Sequence, residues 1–364
     1  MNSSHQIQNE FPGNCVVYSF IGGKPDHLSD LSYAILAALI VIHTTTYPFT
    51  IVLNLLMMIA VKTKARMQSM SNMALACLAL TDVMVGLVVQ PLFIAQIWNI
   101  IQGETTASAC SIQIALRFFL YFFCFSSIVH LFLITVDRYI AIMRPYTYIQ
   151  TITKARVLVA TALSLALTII VHMALLIDEE VGRYIKHAVI VSLITIIVIC
   201  NVIVYPEVHR HEKEITAQQV GVASRDNFLS QKRAFKLTLI IIIILIITSY
   251  FPVISFVELK EPLKNVVSVG TLTSIFMVVG SLAAFNSLVN PFIYCIRLRQ
   301  FRVAFIELLI KKNHNEADKF ESMILGPAAI NFESNLRGER EEQNTNLANA
   351  IRGVEISLGG ERGE

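Results

Sequence analysis

One acidic residue, Asp82, lies inside a long apolar segment, where a charged side chain is costly to bury. A charge at the centre of a bilayer costs roughly 2.5–3.5 kcal/mol even on the lenient insertion scale, so it needs a protein partner or water. Other apolar segments carry polar residues that could surround it: Asn54, Ser127, Asn286 and Asn290. One carboxylate, one hydroxyl and amide oxygens suit a small hard cation such as sodium. The alternative is a hydrogen-bonded network around a protonated Asp82, and spacing alone favours this alternative.

A second polar feature ends the third apolar segment, where Asp137 and Arg138 stand side by side in "LFLITVDRYIAIMRP". Ser127 precedes Arg138 by eleven residues, about three helical turns, so the two share a helix face. An arginine at such a helix end can be half-buried, paired with its neighbour and available to a partner. The alternative is a helix end whose charges only reach for water, and a lone Asp-Arg pair favours that alternative.

Three histidines, His43, His130 and His172, also lie in apolar segments. They belong to three different segments, show no metal-ligand spacing and have no nucleophile beside them. Histidines that bind water or cap a helix explain this pattern better than a catalytic site. The sequence therefore does not predict an enzyme.

The composition indicates what must position these residues. The chain has 364 residues, of which 55% are hydrophobic and 15% charged, and its mean hydropathy is +0.62. Such a composition is typical of membrane proteins. Seven apolar segments are long enough to cross a bilayer as helices: 33–61, 68–97, 111–143, 154–177, 186–209, 232–258 and 266–296. We therefore predict an all-α membrane protein, a seven-transmembrane helix bundle.

The end of the seventh segment predicts a kink and then an eighth helix. Pro291 removes one backbone hydrogen bond and bends its helix. Beyond Tyr294 the pattern turns amphipathic, with Phe301 and Phe305 spaced to share one face. This predicts a short amphipathic helix over residues 298–312 that lies on the membrane surface. Residues 313–364 are polar and rich in Glu, Asn and Gly, which predicts a disordered cytoplasmic tail.

The basic residues of the connecting segments are unevenly distributed. Eighteen lie at one end of the predicted bundle and five at the other. Because basic residues favour the cytoplasmic side, the first end is the predicted inner end, with the N-terminus outside and the C-terminus inside. Residues 1–30 then form an extracellular segment and residues 31–297 the bundle. Asn2 in "NSS" becomes a candidate glycosylation site.

A transporter or channel is the second hypothesis for such a bundle. It would be expected to show internal repeats, paired broken helices or a charged path across the membrane. The polar residues instead lie in one cluster and at the inner end. Nothing in the sequence predicts binding to nucleic acid.

Taken together, these residues resemble those of the rhodopsin-like (class A) G-protein-coupled receptors. The resemblance covers the chain from about residue 31 to residue 310. It rests on motifs in a fixed order: Asn54, "LALTD" with Asp82, Ser127, "DRYIAIMRP", Tyr205, Pro252, "NSLVNPFIY" and "FRVAF". Each motif alone is weak, but their joint order on successive segments is specific.

The resemblance implies a plasma-membrane receptor that converts extracellular ligand binding into activation of a heterotrimeric G protein, with arrestin and membrane lipid as further partners. It assigns G-protein coupling and the activation switch to Asp137, Arg138, Tyr139, Tyr205, Asn290, Pro291 and Tyr294. It makes an allosteric sodium pocket of Asp82, Ser127, Asn286 and Asn290, which reverses the preference from spacing alone. No other cofactor is expected.

Several positions depart from the family pattern. Tyr250 stands where the sixth helix usually carries Trp, the fourth segment has no Trp, and the fifth lacks its mid-helix Pro. The segment "IDEEVGRYIKH" between the fourth and fifth spans contains no Cys, so the family's usual disulfide to this loop cannot form. A short cysteine-free loop and a fifth helix without that proline resemble the melanocortin, lysophospholipid and cannabinoid receptors. Cys15 and Cys110 are the only cysteines predicted to lie outside, where conditions are oxidising, and we expect them to pair.

The outer half of the third helix carries the residues expected to meet a ligand. With aromatic residues of the sixth and seventh helices, they are predicted to line one pocket: Arg117, Leu120, Tyr121, Cys124, Tyr250, Phe256 and Phe276. This mostly apolar cavity with one cation at its mouth fits a ligand with an apolar body and an anionic head, such as a lipid acid, ahead of another small molecule or a peptide. The alternative is that Arg117 pairs with Glu179 or Glu180 and never contacts ligand.

Two ligand classes are argued against by single positions. Amine receptors carry an Asp in the outer half of the third helix, where this chain has Leu120. Opsins carry a Schiff-base Lys in the seventh helix, where this chain has Ala284. An amine ligand and attached retinal are therefore not expected.

The inner end of the sixth helix, "QKRAFKL", predicts resting activity. Many class A receptors pair the Arg of the third helix with an acid at this position, where the chain has Lys232. Lys232 and Arg138 repel, so this ion pair cannot form. A lost, partly exposed ion pair is worth about 1 kcal/mol, roughly a fivefold shift in a two-state equilibrium.

We therefore expect measurable ligand-free signalling that Lys232→Glu lowers. The measurement is second-messenger output plotted against surface density of the receptor. Output equal to that of mock-transfected cells, and unchanged by Lys232→Glu, would contradict the prediction.

Overall fold

The computed structural model of the protein describes residues 28–104, 106–174, 179–217, 222–263, 266–310 and 313–325. Seven long helices follow one another: α1 (Asp30–Thr63), α2 (Met70–Met84, continued through Val85–Val89 into Gln90–Gln102), α3 (Ala107–Met143), α4 (Lys154–Ala174), α5 (Glu179–Ala217), α6 (Val222–Leu245, continued through Ile246–Tyr250 into Phe251–Leu263) and α7 (Val269–Arg297). A short helix, Pro145–Thr151, joins α3 to α4. Two helices follow the bundle: α8 (Arg299–Ile310) and α9 (His314–Leu325). The predicted all-α fold with a short eighth helix is confirmed.

The lengths of these helices suit a bilayer. Among the described residues, six helices are long and apolar enough to cross a membrane, namely α1, α2, α3, α5, α6 and α7. The remaining predicted span, α4, has 21 residues, and at about 1.5 Å per residue this length also covers a hydrocarbon core of about 30 Å. The longest predicted connection, 210–231, is largely helical, because α5 continues to Ala217 and α6 begins at Val222.

Four helices begin directly after a serine or threonine that caps the first turn. Ser29, Ser69, Thr106 and Ser268 precede α1, α2, α3 and α7, and each side-chain oxygen accepts a hydrogen bond from the backbone N–H three residues later, at 3.1–3.3 Å. This bond satisfies a donor that the first helical turn leaves without an internal partner. At the other end of α2, Gly103 has a φ of +66°, a left-handed conformation that glycine adopts without strain.

Two helices change their winding just before a proline. Val85–Val89 in α2 and Ile246–Tyr250 in α6 are π-helical, and each segment ends two residues before Pro91 or Pro252. A proline inside a helix has no N–H to donate, and its ring meets the carbonyl group one turn back. A widened preceding turn relieves that clash while both helices continue.

Helices α1 and α2 approach closely at Gly86. A Cβ atom at Gly86 would lie 2.8 Å from Cγ1 of Ile51, which is nearer than side chains approach one another. Glycine at this position therefore lets the two helices touch. Contacts further out along the same interface pair Gln90 with Thr46, and Phe93 with His43.

The tail differs from its prediction. Residues from 313 onward were predicted to be disordered, but His314–Leu325 form the helix α9. Asn313 caps this helix, since its Oδ1 accepts from the N–H of Glu316 at 3.0 Å. Arg302 of α8 pairs with Glu321 of α9 at 2.8 Å. The polar composition concealed this cap and this ion pair; residues 326–364 lie outside the described part of the chain.

Candidate functional site

Asp82 lies in the middle of α2 and is 1% exposed. The carboxylate is tied to α7, because Asn290 donates from Nδ2 to Asp82 Oδ2 at 2.9 Å. The second carboxylate oxygen, Oδ1, is buried and accepts no hydrogen bond from the described residues. Asp82 therefore joins two helices and keeps one acceptor available for a further donor or a cation.

Asn54 brings α1 into the same cluster. Its Nδ2 donates to the carbonyl oxygens of Thr50 and Ser287, both at 2.9 Å. The bond to Ser287 crosses from α1 to α7, three residues from Asn290. Asn54 Oδ1, like Asp82 Oδ1, is buried without a partner in the part of the chain that the structure describes.

The other two residues predicted for a sodium pocket are engaged elsewhere. Asn286 accepts a hydrogen bond from Thr248 Oγ1 at 2.7 Å and donates to Ser249 Oγ, so it binds the π-helical segment of α6. Ser127 donates to the carbonyl oxygen of Phe123 in its own helix, at 2.9 Å. Of the predicted sodium ligands, Asn290 therefore contacts Asp82, whereas Asn286 contacts α6. The Ser127 oxygen has already donated its proton and can only accept a further hydrogen bond.

Arg138 is buried at the inner end of α3, at 2% exposure. Its Nε donates to Asp137 Oδ2 at 3.0 Å, and its guanidinium forms an ion pair with the same carboxylate. It also donates to the hydroxyl of Ser71, at the start of α2. The neighbouring carboxylate and a second helix therefore hold a cation that a partner protein could otherwise contact.

Tyr148, in the short helix Pro145–Thr151, completes the surroundings of Asp137. Its hydroxyl donates to Asp137 Oδ1 at 3.0 Å. Burial, and then the charge of Asp137, raise the pKa of the Tyr148 hydroxyl to about 12. The hydroxyl therefore stays protonated, and remains a donor, throughout the physiological pH range.

The two predicted switch tyrosines lie in different environments. Tyr294 is fully buried, its hydroxyl has no partner among the described residues, and its ring lies 5.9 Å from that of Phe301. Tyr205 is 55% exposed and packs against His209 on its own helix. The structure places Tyr294 inside the bundle below Asn290 and Pro291, and Tyr205 on its surface. Tyr139 packs at the edge of a small apolar cluster of α3, α5 and α6.

The predicted pocket residues come together in part. The rings of Phe256 and Phe276 lie 5.5 Å apart, joining α6 to α7. Leu120 and Phe276 both pack on the apolar cluster around Phe93 in the outer half of the bundle. Cys124 is partly buried on α3, one turn beyond Leu120. Tyr250 lies in the π-helical segment of α6, while Arg117 and Tyr121 are partly buried on α3.

Several predictions fall outside the described residues. Asn2 and Cys15 belong to residues 1–27, and the side chains of Glu179 and Glu180 are also undescribed. Cys110 is disulfide-bonded, whereas Cys77, Cys124, Cys200 and Cys295 are not disulfide-bonded. The pairing of Cys110 with Cys15 stays a prediction.

Sequence reasoning missed some residues of these clusters. Ser71, Tyr148, Thr248 and Ser249 each bond a predicted site residue. Serine, threonine and tyrosine are common residues, and the sequence does not show which of them has a hydrogen-bond partner on another helix. Of these four, only Tyr148 could have been suspected from the sequence, because it follows Asp137 closely, in the short helix Pro145–Thr151.

Removing the Tyr148 hydroxyl should weaken the hold of Asp137 on Arg138, so that the arrangement in which Arg138 meets a partner protein is populated more often. Tyr148→Phe deletes one hydrogen bond to Asp137, worth about 1 kcal/mol, so we expect ligand-free signalling per surface receptor to rise roughly fivefold. The matched control is Tyr146→Phe in the same short helix, where Tyr146 is 85% exposed. An equal effect of both changes, or no effect of either, would contradict a role for the Tyr148–Asp137 bond.

Comparison with known proteins agrees with this geometry. The family model described as 7 transmembrane receptor (rhodopsin family) matches residues 53–294, about two thirds of the chain. The histamine H2 receptor of Rattus norvegicus is 35% identical over 133 residues, which are 35% of this chain and 35% of that receptor. The 5-hydroxytryptamine receptor 2B of Dichotomyctere fluviatilis is 34% identical over 110 residues, 30% of this chain and 23% of that receptor. The alpha-2 adrenergic receptor of Labrus ossifagus is 34% identical over 122 residues, 33% of this chain and 27% of that receptor.

The matched part of the chain thus spans about a quarter to a third of the length of these curated relatives. None of the three is named as a melanocortin, lysophospholipid or cannabinoid receptor, so the branch stays a prediction. The family match is broader than these pairwise alignments and includes the helices that carry Asp82, Arg138 and Asn290. The chain belongs to the rhodopsin family of seven-transmembrane receptors.

Proposed function

We propose that the protein is a receptor that converts binding of an extracellular ligand into activation of a heterotrimeric G protein. The observation that carries this proposal is Arg138, a buried cation at one end of the bundle held by Asp137 and Ser71. Asp137 holds Arg138 by its charge and by hydrogen bonds, and Ser71 holds it by one hydrogen bond; contacts with a partner protein can replace both. The transporter or channel hypothesis gains no support, since the matching family and the relatives are receptors.

A signalling receptor needs two arrangements of its helices with different affinity for ligand and partner. The described contacts fit the resting arrangement. Asp82 holds α7 to α2 through Asn290, and Asn286 holds α7 to α6 through Thr248 and Ser249. A ligand that moves α6 against α7 must break or replace the second set, which couples the outer half of the bundle to its inner end.

The proposed location is the plasma membrane, with the N-terminus outside and the C-terminus inside. The support is the excess of basic residues at the end that carries Arg138, eighteen against five. Arg138 then faces the cytoplasm, where G proteins and arrestin are found.

Removing the Arg138 guanidinium tests the signalling proposal. After an agonist has been found by screening cells with cAMP and calcium readouts, we expect Arg138→Ala to keep surface expression and lower signalling roughly tenfold or more, as for a buried interface arginine. The control is Arg156→Ala, an exposed arginine at the same end of the bundle. Equal signalling by wild type and Arg138→Ala at equal surface density would refute the assigned role.

An allosteric sodium ion remains part of the proposal, and the residues fit it in part. Asp82 Oδ1 and Asn54 Oδ1 are buried acceptors without partners among the described residues, as an oxygen site for a hard cation requires. Asn286 Oδ1 already accepts from Thr248, so Asp82, Asn54 and Asn290 are better placed than Asn286. A bound cation would neutralise the buried carboxylate and stabilise the resting position of α7.

For the ligand we propose a molecule with an apolar body and an anionic or strongly accepting head, such as a lipid acid. The relatives are named for histamine, 5-hydroxytryptamine and the adrenergic class. The outer half of α3, residues 107–124, contains no carboxylate to hold an amine, and Leu120 stands where amine receptors carry Asp. It does contain the cation Arg117.

Arg117 decides between the two interpretations of this pocket. Arg117→Ala should weaken agonist binding roughly tenfold or more if the guanidinium pairs with an anionic head, because hydrogen bonds to charged groups contribute about 1.5–3 kcal/mol. Ile114→Ala serves as control, since Ile114 lies one turn away and is 54% exposed. An unchanged agonist affinity would show that Arg117 pairs with Glu179 or Glu180 instead.

A further inference from the structure

His43 is a fully buried imidazole at the point where α1, α2 and α7 meet. Its ring is stacked between two phenylalanines, Phe93 of α2 at 4.8 Å and Phe285 of α7 at 5.5 Å, and is 9° from parallel with each. Its Nε2 lies 2.9 Å from Ser281 Oγ on α7. Three side chains from two other helices therefore fix the position of one histidine.

The hydrogen-bond partners decide which way the His43–Ser281 bond runs. A serine hydroxyl has one proton, and Ser281 donates it to the carbonyl oxygen of Met277 at 2.7 Å. Ser281 Oγ must then accept, so Nε2 of His43 carries the proton and donates. His43 Nδ1 is left as a buried acceptor without a partner in the described part of the chain.

The neighbouring residue of α7 explains why the helices approach so closely here. A Cβ atom at Gly280 would lie 2.8 Å from Cζ of Phe93 and 3.4 Å from Leu120. Glycine therefore leaves the space that the Phe93 ring occupies. Phe93 is held between Gly280 on one side and His43 on the other, and a displacement of α7 would disturb the Gly280 contact.

The same helix carries the residues of the candidate site. Ser281 precedes Asn290 by nine residues, about 13.5 Å along the helix axis. Pro291 has no N–H to donate to the carbonyl oxygen of Ser287, one turn back, so the helix is weakened between Ser287 and Pro291, beyond Ser281. The outer part of α7 is placed by His43, and the weakened turn is held at Asn290 by its bond to Asp82.

We propose that His43 is a positioning residue for α7, which holds the outer part of that helix in the resting arrangement and thereby sets the ligand-free activity of the receptor. This inference rests on the signalling function proposed above. A phenylalanine could fill the same stack, but it could not donate to Ser281. A hydrogen bond is lost when donor and acceptor separate by about 1 Å beyond their optimum, whereas a stacking contact is more tolerant. The bond to Ser281 therefore exists at one placement of α7 only.

The experiment compares four receptors with wild type at equal surface density. His43→Phe keeps the stacked ring and removes the donor, Ser281→Ala removes the acceptor, and a double variant combines them. Thr45→Val is the matched control, because Thr45 is exposed on α1 and its hydroxyl bonds the backbone of its own helix. Two quantities are measured: ligand-free second-messenger output per surface receptor, and the labelling rate of the thiol of Cys295, which lies near the end of α7 and is not disulfide-bonded.

We expect each single variant to raise ligand-free output roughly fivefold and to change the Cys295 labelling rate, with no change for Thr45→Val. Because both changes remove the same bond, the double variant should match a single variant and not multiply the two effects. Unchanged or lowered output in Ser281→Ala, which deletes one oxygen atom and leaves the stack intact, would overturn the proposal. Multiplied effects in the double variant would also overturn it.

The Cys295 rate separates this inference from the signalling function. If wild type and all variants give no ligand-free output, the proposed resting activity fails, and the labelling rate alone decides the role of His43. A changed rate in both single variants then supports the positioning role, and a rate equal to that of wild type refutes it. Loss of thermal stability without either change would show a packing role only.

Discussion

A carboxyl group buried among membrane-spanning helices must be hydrogen-bonded, and Asp82 meets this requirement through α7. The residues of this bond are 208 positions apart, so it forms only in the assembled bundle. It fixes the height of Asn290 and, with it, the kink at Pro291 and the buried ring of Tyr294. The Asn54 bond to Ser287 adds α1 to the same level. The polar centre therefore determines where three helices stand, although it contains few side chains.

The two polar regions of the bundle differ in how far their hydrogen bonds are satisfied. At the inner end, Arg138 is held by Asp137 and Ser71, and Asp137 receives a second donor from Tyr148. In the middle, Asp82 Oδ1, Asn54 Oδ1 and the Tyr294 hydroxyl have no partners among the described residues. The inner end is thus closed by its own side chains, while the centre has spare acceptors that water or a cation can use. A rearrangement of α7 would therefore change the hydrogen bonds in the middle of the bundle, where acceptors lack partners, before it changes those at the inner end.

Sequence reasoning found the helices because burial in a bilayer leaves long apolar segments, and it found Asp82, Arg138 and Asn290 because polar residues are rare there. It could not assign partners among common residue types. Asn286 was grouped with Asp82 as a polar residue of an apolar segment and by family resemblance, yet its side chain bonds α6. Tyr205 was placed with the switch residues by family resemblance, but the structure leaves it on the surface beside His209. Helix α9 was missed because its stability comes from a cap at Asn313 and a pair between Arg302 and Glu321, neither of which changes the average polarity of the tail.

The two π-helical segments have a consequence for how α2 and α6 are compared with other helices. A π-helical turn contains about one residue more than an α-helical turn, so every residue beyond it is rotated by about 100° relative to an uninterrupted helix. A helical wheel drawn through Val85–Val89 or Ile246–Tyr250 therefore assigns the wrong faces to everything on the far side. Deleting a single residue within either segment would restore regular winding and turn the outer half of that helix, with Phe93 or Phe256, away from its present neighbours. In α2 and α6, the one extra residue of the π-helical segment sets the rotation of the outer half of the helix. An insertion or deletion within that segment changes which side chains face the centre of the bundle.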